Sequence, residues 1–140
     1  MKILLAVDGS PYTQKMLDYL TSHQELFGPQ NEYTALTVHP ALPPHARAAV
    51  GKEIVNSYYA DETQKVLTPV AAFLTQHGIN AQSDSRVGPV GQTIAKFADE
   101  GQFDLLVMGS HGLGALANLV MGSVATQVLA HSKVPVLLVR

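Results

Sequence analysis

Small and polar residues suited to an anion site lie between an apolar run and a helix-like segment. Gly109–Gly112 reads Gly-Ser-His-Gly, and Gly122 and Ser123 follow nine residues further along the chain. Glycine lets the backbone approach an anion closely and adopt positive φ. The N–H groups and the positive dipole end at the start of a helix attract negative charge, and Ser123 adds a hydroxyl donor. The pattern predicts a phosphate cradle, and glycines that serve only turns and packing are the alternative.

A carboxylate and a histidine are the other candidate functional groups. Asp8 directly follows an apolar run, and its carboxylate together with phosphate oxygens would suit Mg²⁺. The alternative for Asp8 is a turn residue that caps the next helix. His111 could donate hydrogen bonds or act as an acid or base, and an exposed loop histidine is its alternative. The other five histidines lack the spacing of a metal site.

Strand-like and helix-like segments alternate along the chain. The predicted strands are Ile3–Val7, Tyr33–Val38, Ile79–Val87, Asp104–Met108 and Val134–Val139. This order predicts the α/β class: a five-stranded parallel doubly wound (Rossmann-like) sheet flanked by about four helices in an α/β/α sandwich. Because ligands of such sheets bind beyond the carboxyl ends of the strands, we expect the site in the loops after the first and fourth strands.

Prolines predict two interruptions of regular structure. His39–Gly51 contains three prolines, which predict that no regular element forms there. Glu53–His77 has apolar residues at helical spacing, and Pro69 within it predicts a kinked or divided helix.

Composition limits the class of protein. The length of 140 residues predicts a single domain, 1–140. The net charge of −2, without a run of basic residues, argues against nucleic acid as a partner. The absence of cysteine excludes disulfides, thiolate metal sites and cysteine nucleophiles. No apolar run is long enough to cross a membrane, so we expect a soluble, cytoplasmic protein.

Four segments in the same order resemble one known family. The glycine segment fits the spacing G-x2-G-x9-G-[S/T], and Leu4–Ser10, Val87–Pro89 and Val134–Val139 match the family's opening, its turn before the third helix and its ending. The chain therefore resembles the universal stress proteins of the ATP-binding branch over its whole length. The resemblance implies ATP and Mg²⁺ as ligands and a nucleotide-dependent regulator or sensor of the stress response. Because the loop offers His111 but no Lys or Arg as a charge clamp, we expect no enzyme beyond slow ATP hydrolysis.

The resemblance also implies a role for each site residue. Phosphates and ribose would contact the glycine segment and the start of the following helix, with His111 reaching either group. Asp8 would lie against the adenosine half and help to hold Mg²⁺, and the backbone of Val38 would meet the adenine edge. Many relatives carry Arg where this chain has Asn118, which puts the affinity in doubt. The implied binding residues are Ala6, Val7, Asp8, Val38, Met108, Gly109, His111, Gly112, Gly122, Ser123, Val124 and Ala125.

The final strand suggests self-association. Val134–Val139 is almost entirely apolar, and Pro135 is tolerated at the start of an edge strand. We expect a homodimer through this strand, as the resemblance also implies, besides a regulatory partner that the sequence does not name. An ordinary edge shielded by its own helices is the alternative.

Two other α/β classes stay open at this stage. A phospho-acceptor receiver domain would use Asp8, but it needs a second acid where the chain has Gly9 and an acceptor Asp that Arg86–Gly88 does not supply. A flavodoxin-like redox module would need a phosphate loop rich in Ser and Thr after the first strand. The chain has neither the Walker A spacing nor G-x-G-x-x-G after the first strand.

Overall fold

One parallel sheet organises the molecule. A computed structural model describes residues 1–113 and 118–140. Its strands are β1 (Lys2–Ala6), β2 (Glu32–His39), β3 (Ala81–Val87), β4 (Leu105–Gly109) and β5 (Val136–Val139). All four strand pairings are parallel, and the order across the sheet is β3-β2-β1-β4-β5. The predicted fold class is confirmed, and each predicted strand boundary lies within two residues of the observed one.

The strand order separates this fold from the two α/β alternatives. Flavodoxin-like sheets, whose order receiver domains share, place the third strand inside the sheet in the order 2-1-3-4-5. Here β3 lies at an edge and pairs with β2 in the described part of the chain. Its residues Ala81–Val87 are all exposed or half-buried, as suits an edge and not a sheet centre. The topology therefore argues against the receiver and flavodoxin-like interpretations.

Helices cover both faces of the sheet. They are α1 (Pro11–Ser22), α2 (Gln24–Phe27), α3 (Pro44–Val50), α4 (Lys52–Gln76), α5 (Val90–Glu100) and α6 (Ser123–His131). Helices α1 and α4 pack on one face through Leu17, Leu20 and Leu74, and α5 and α6 pack on the other through Ile94 and Val128. The described residues thus contain six helices, where the sequence predicted about four.

Strand β1 is buried on both faces, which explains its uninterrupted apolar sequence. Ile3 and Leu5 belong to the core under α1 and α4, and Leu4 belongs to the core under α5 and α6. All three are fully buried, and burial of such a side chain contributes about 1.5–3 kcal/mol. The rigid centre of the sheet therefore fixes the position of Asp8 just beyond it.

The break expected over His39–Gly51 was wrong, as was a division of the helix at Pro69, whereas a kink there stays a prediction. Within His39–Gly51, where no regular element was expected, β2 continues through His39 and Pro44–Val50 forms α3. Pro44 occupies the first turn of α3, where its missing N–H would have no helical partner in any case. Helix α4 is not divided but continues through Pro69, because Leu67 and Val70 on either side are buried against the sheet while Pro69 faces solvent.

Helix α4 is the longest helix, and charged and polar residues interrupt its apolar ones. Of the helices in residues 1–113 and 118–140, none combines the length and the apolar character that crossing a bilayer requires.

Candidate functional site

A cavity of about 450 Å³ opens where the carboxyl ends of β1, β2 and β4 meet. The strand order reverses between β1 and β4, which is the expected place for a ligand in a doubly wound sheet. The volume lies in the range of small-molecule sites. All twelve binding residues proposed from the sequence line the cavity: Ala6, Val7, Asp8, Val38, Met108, Gly109, His111, Gly112, Gly122, Ser123, Val124 and Ala125. Their roles towards a ligand stay predictions.

The start of α6 offers hydrogen-bond donors to this cavity. Gly122 is the N-cap and makes no side-chain cap, so the first helical bond is donated by Thr126 to the Gly122 carbonyl. The N–H groups of Ser123, Val124 and Ala125 have no hydrogen-bond partner among the described residues. Together with the helix dipole, these donors make the start of α6 attractive to an anion.

The glycines of the motif hold the loop against its neighbours. A Cβ added to Gly109 would lie 2.6 Å from the Tyr12 Cβ, and one added to Gly112 would lie 2.5 Å from the Asp8 Oδ2. At Gly122 it would lie 3.1 Å from the His111 Cα. None of the three has the positive φ that the sequence interpretation allowed. Each of the three glycines is therefore needed for close packing, as the alternative interpretation proposed. The same close packing places the loop beside the cavity.

Asp8 combines the turn role with a place in the cavity wall. Its Oδ1 accepts hydrogen bonds from the Ser10 N–H at 2.9 Å and the Thr13 hydroxyl at 3.0 Å. Its Oδ2 accepts one from the Leu113 N–H at 3.2 Å. The carboxylate thus connects the β1–α1 turn to the loop after β4, and its three donors are all uncharged.

His111 is held at both ring nitrogens. Its Nδ1 lies 2.8 Å from the Ser110 Oγ, and its Nε2 lies 2.8 Å from the Leu119 carbonyl oxygen. Because a carbonyl can only accept, Nε2 carries a proton and donates. The ring also stands 5.0 Å from the Tyr12 ring. These contacts tie His111 to Leu119, and residues 114–117 between them lie outside the described part.

Sequence reasoning missed the wall that α4 contributes. Glu62 and Val66, one turn apart on α4, line the cavity above the end of β2, and the neighbouring Thr63 hydroxyl lies 3.2 Å from the His39 Nε2. Thr37 also lines the cavity; the residue is only 1% exposed and its hydroxyl has no partner among the described residues. The remaining unpredicted lining residues are Thr13, His39, Pro40, Val90, Ile94, Leu113 and Leu119.

The charge of the cavity wall is not balanced by basic side chains. Asp8 and Glu62 line it, and no Lys or Arg does so in residues 1–113 and 118–140. No cluster of three metal-binding side chains occurs in the same ranges. A divalent ion at Asp8 would therefore need most of its ligands from a bound anion and from water, as Mg²⁺ commonly has.

The fold and the position of the cavity define the class of doubly wound α/β proteins that hold ligands beyond their strand ends. The model of the universal stress protein family matches residues 1–140. The chain belongs to the universal stress protein family, which confirms the resemblance seen in the sequence.

Relatives support this assignment over nearly the full chain. Universal stress protein MJ0531 of Methanocaldococcus jannaschii is 27% identical over 140 residues, which cover 99% of this chain and 81% of the relative. The structure of protein MJ0577 of the same organism has a TM-score of 0.78 and 25% identity and covers 99% of this chain and 94% of that one. The universal stress protein from Archaeoglobus fulgidus in complex with dAMP has a TM-score of 0.65 and 22% identity over 100% and 98% of the two chains.

Proposed function

We propose that this universal stress protein binds ATP with Mg²⁺ in the cavity and acts as a nucleotide-dependent regulator or sensor of the stress response. One observation carries the proposal: Ser123, Val124 and Ala125, whose N–H groups have no partner among the described residues, line a ligand-sized cavity. An anion at these N–H groups would receive hydrogen bonds and the positive end of the α6 dipole. The A. fulgidus relative of the same fold is in complex with dAMP, which agrees with a nucleotide as the ligand.

The two halves of the cavity suit the two halves of a nucleotide. Gly109, Gly112 and the start of α6 supply the donor-rich end for phosphates and ribose. Val38, Ile94 and Met108 supply an apolar end that would accept the adenosine half. Thr37 lines the cavity, and its hydroxyl, which has no partner in the described residues, would gain one from a polar edge of the ligand.

Asp8 is the proposed link to magnesium and to the loop. When bound, Mg²⁺ would neutralise phosphate charge, and the Asp8 carboxylate is the side chain at the donor-rich end that could contact it. Such a contact would compete with the hydrogen bond from the Leu113 N–H to Oδ2. Since Leu113 is 73% exposed, a change at Asp8 would alter a surface that partners could detect.

The site residues favour binding and regulation over rapid turnover. Phosphoryl transfer needs a positioned base or water and a cationic clamp on the phosphates. Both ring nitrogens of His111 are held by the protein, and the described cavity wall has no Lys or Arg. We expect at most slow ATP hydrolysis, well below the median enzyme turnover of about 10 s⁻¹.

A homodimer through the last strand remains part of the proposal. Strand β5 lies at the edge of the sheet, as expected, and its residues Val136, Leu137 and Leu138 are half-buried. The carbonyls of Pro135 and Val139 bond to the β4 side, so the backbone groups of Val136 and Leu138 point outward, where a second strand could pair with them. The single domain 1–140, the cytoplasmic location, the regulatory partner and the absence of nucleic acid as a partner also stay predictions.

Calorimetry tests the proposal. Titration of the purified protein with ATP in the presence of Mg²⁺ is expected to give saturable binding at one site per chain. Ser123→Ala, which removes only the hydroxyl donor, is expected to weaken binding by about tenfold or less, since a hydrogen bond to a charged group is worth about 1.5–3 kcal/mol and the N–H donors remain. The absence of any heat of binding in the wild-type protein would reject the proposed function.

A further inference from the structure

The cavity wall contains acidic side chains but, among the described residues, no Lys or Arg. The undescribed residues 114–117 are Gly-Ala-Leu-Ala, and the whole segment from Gly109 to Ser132 contains no Lys, Arg, Asp or Glu. The sequence therefore leaves the loop after β4 and the helix that follows it without any Lys or Arg that could contact a phosphate chain.

Negative charge does stand at the cavity. Glu62 is paired with the Lys65 ammonium at 2.9 Å, so much of its charge is offset on the solvent side. Asp8 has no such cation, because its three hydrogen-bond donors are uncharged groups. No cationic hydrogen-bond partner therefore offsets the charge of the Asp8 carboxylate towards a ligand.

Asp8 also lies close to the anion-attracting end of α6. The Cβ position of Gly112 is 2.5 Å from the Asp8 Oδ2, and the Cβ position of Gly122, the N-cap of α6, is 3.8 Å from the Gly112 nitrogen. Asp8 and the N-cap of α6 thus both lie against Gly112, and Asp8 lines the same cavity as the first residues of the helix. A phosphate at the helix start therefore has Asp8 as a near neighbour.

The attraction available to phosphate is correspondingly small. It consists of the three N–H groups at the start of α6, the Ser123 hydroxyl and a helix dipole equivalent to about half a positive charge. This set matches one phosphate group. A phosphate monoester carries a charge of about −2 at neutral pH, and each further phosphate in a chain adds negative charge that nothing in this wall offsets.

We propose that the site selects nucleotides by net charge: it takes nucleoside monophosphates without metal, and takes di- and triphosphates only as their magnesium complexes. The proposal rests on the proposed nucleotide function and specifies its ligand class. When bound to the phosphate chain, Mg²⁺ would offset two of its negative charges, and Asp8 could then hold the metal where it would otherwise repel the phosphates. Monophosphates and magnesium-bound ATP would then compete for one cavity.

Calorimetry with AMP, ADP and ATP, each with EDTA and with excess Mg²⁺, tests the charge rule. In EDTA we expect the affinity to fall in the order AMP, ADP, ATP, by about tenfold for each added phosphate, because charges at such short range are weakly screened. With Mg²⁺ we expect ATP to recover to within about threefold of AMP, while the affinity for AMP changes by less than about threefold.

A charge variant separates this inference from the proposed function. Leu119 lines the cavity and is 45% exposed, so Leu119→Lys can place an ammonium at the wall, and Leu119→Gln is the uncharged control of similar length. In EDTA, the Lys variant is expected to bind ATP about tenfold more tightly than the Gln variant, with a smaller change for AMP. If wild-type protein binds metal-free ATP as tightly as AMP, the charge rule is wrong and the proposed function survives. If neither AMP nor magnesium-bound ATP binds, both are wrong.

Discussion

Gly122→Val places a branched side chain where the loop, the start of α6 and the cavity meet. The Cβ would lie 3.1 Å from the His111 Cα and 3.2 Å from the Ser110 carbonyl oxygen, and backbone atoms cannot rotate away as a side chain can. The backbone of Gly122, with φ −71° and ψ 162°, suits valine itself, so strain at residue 122 is not the cause of any effect. The loop must instead move away from the helix.

The expected loss follows from the donors at the helix start. The valine would either displace the loop or cover the N–H donors with its methyl groups. In both cases at least one hydrogen bond to a charged phosphate would be lost, worth about 1.5–3 kcal/mol. This corresponds to a Kd increased by about ten- to a hundredfold. Gly122→Ala, which adds only the Cβ, should give a smaller loss.

Calorimetry with ATP and Mg²⁺ measures the effect, and far-ultraviolet circular dichroism checks that the variant is folded. Ala130→Val introduces the same side chain on the exposed far end of α6 and serves as the control. A folded Gly122→Val protein that binds ATP with the wild-type Kd would refute the assignment of phosphate to the start of α6.

Three further predictions follow from other parts of the molecule. Asp8→Asn should reduce the gain in ATP affinity on adding Mg²⁺ by about tenfold, and an unchanged gain would exclude a contact between Asp8 and the metal. Burial raises the pKa of Tyr33 above its ordinary value of about 10. The folded state thus holds the phenol proton more tightly than the unfolded state does. The protonated phenol therefore contributes to the free energy of unfolding in full below pH 10, and this contribution is lost as the pH rises through the raised pKa. In urea denaturation, the free energy of unfolding of Tyr33→Phe should therefore fall less between pH 8 and pH 10.5 than that of the wild-type protein. An equal fall in the two proteins would contradict the raised pKa of Tyr33. The double variant Val136→Lys, Leu138→Lys should be a monomer by light scattering if β5 pairs two chains. Because the two side chains also touch the core under α5 and α6, circular dichroism must show that the variant is folded. A folded double variant that is still dimeric would reject the contact.

Local sequence patterns predicted the strands well, because burial of β1 and β4 on both faces leaves an unmistakable apolar signature. Ile3–Val7 and Asp104–Met108 are each shifted by one residue from β1 and β4. The order of strands across the sheet could not be read in the same way. An edge position for β3 is a long-range property, although the alternating polar residues of Ala81–Val87 were already compatible with it.

Proline was over-interpreted because its effect depends on position and packing. Pro44 begins a helix, and Pro69 lies on the solvent side of a helix whose other side is held by buried Leu67 and Val70. A rule that treats every proline as a helix breaker takes account of neither its position in the helix nor the packing of its neighbours. Both are visible only when the helix is placed against the sheet.

The candidate site was predictable where one loop carries it and not where tertiary packing does. Gly122 and Ser123 have a recognisable spacing, and they line the cavity. Glu62 reaches the same cavity from the middle of α4, and helical periodicity does not show which turn of a 25-residue helix lies above the end of β2. The charge of the cavity, with its consequence for ligand choice, therefore appears only in the folded chain.

The central claim is that a nucleotide phosphate sits at the start of α6. Backbone amide resonances of a ¹⁵N-labelled protein, followed while ATP with Mg²⁺ is added, test it directly. We expect the amide signals of Ser123, Val124 and Ala125 to shift most and to saturate together, because these N–H groups would gain the phosphate as their hydrogen-bond partner. Saturable binding that leaves these three signals in place, with shifts elsewhere on the molecule, would contradict it.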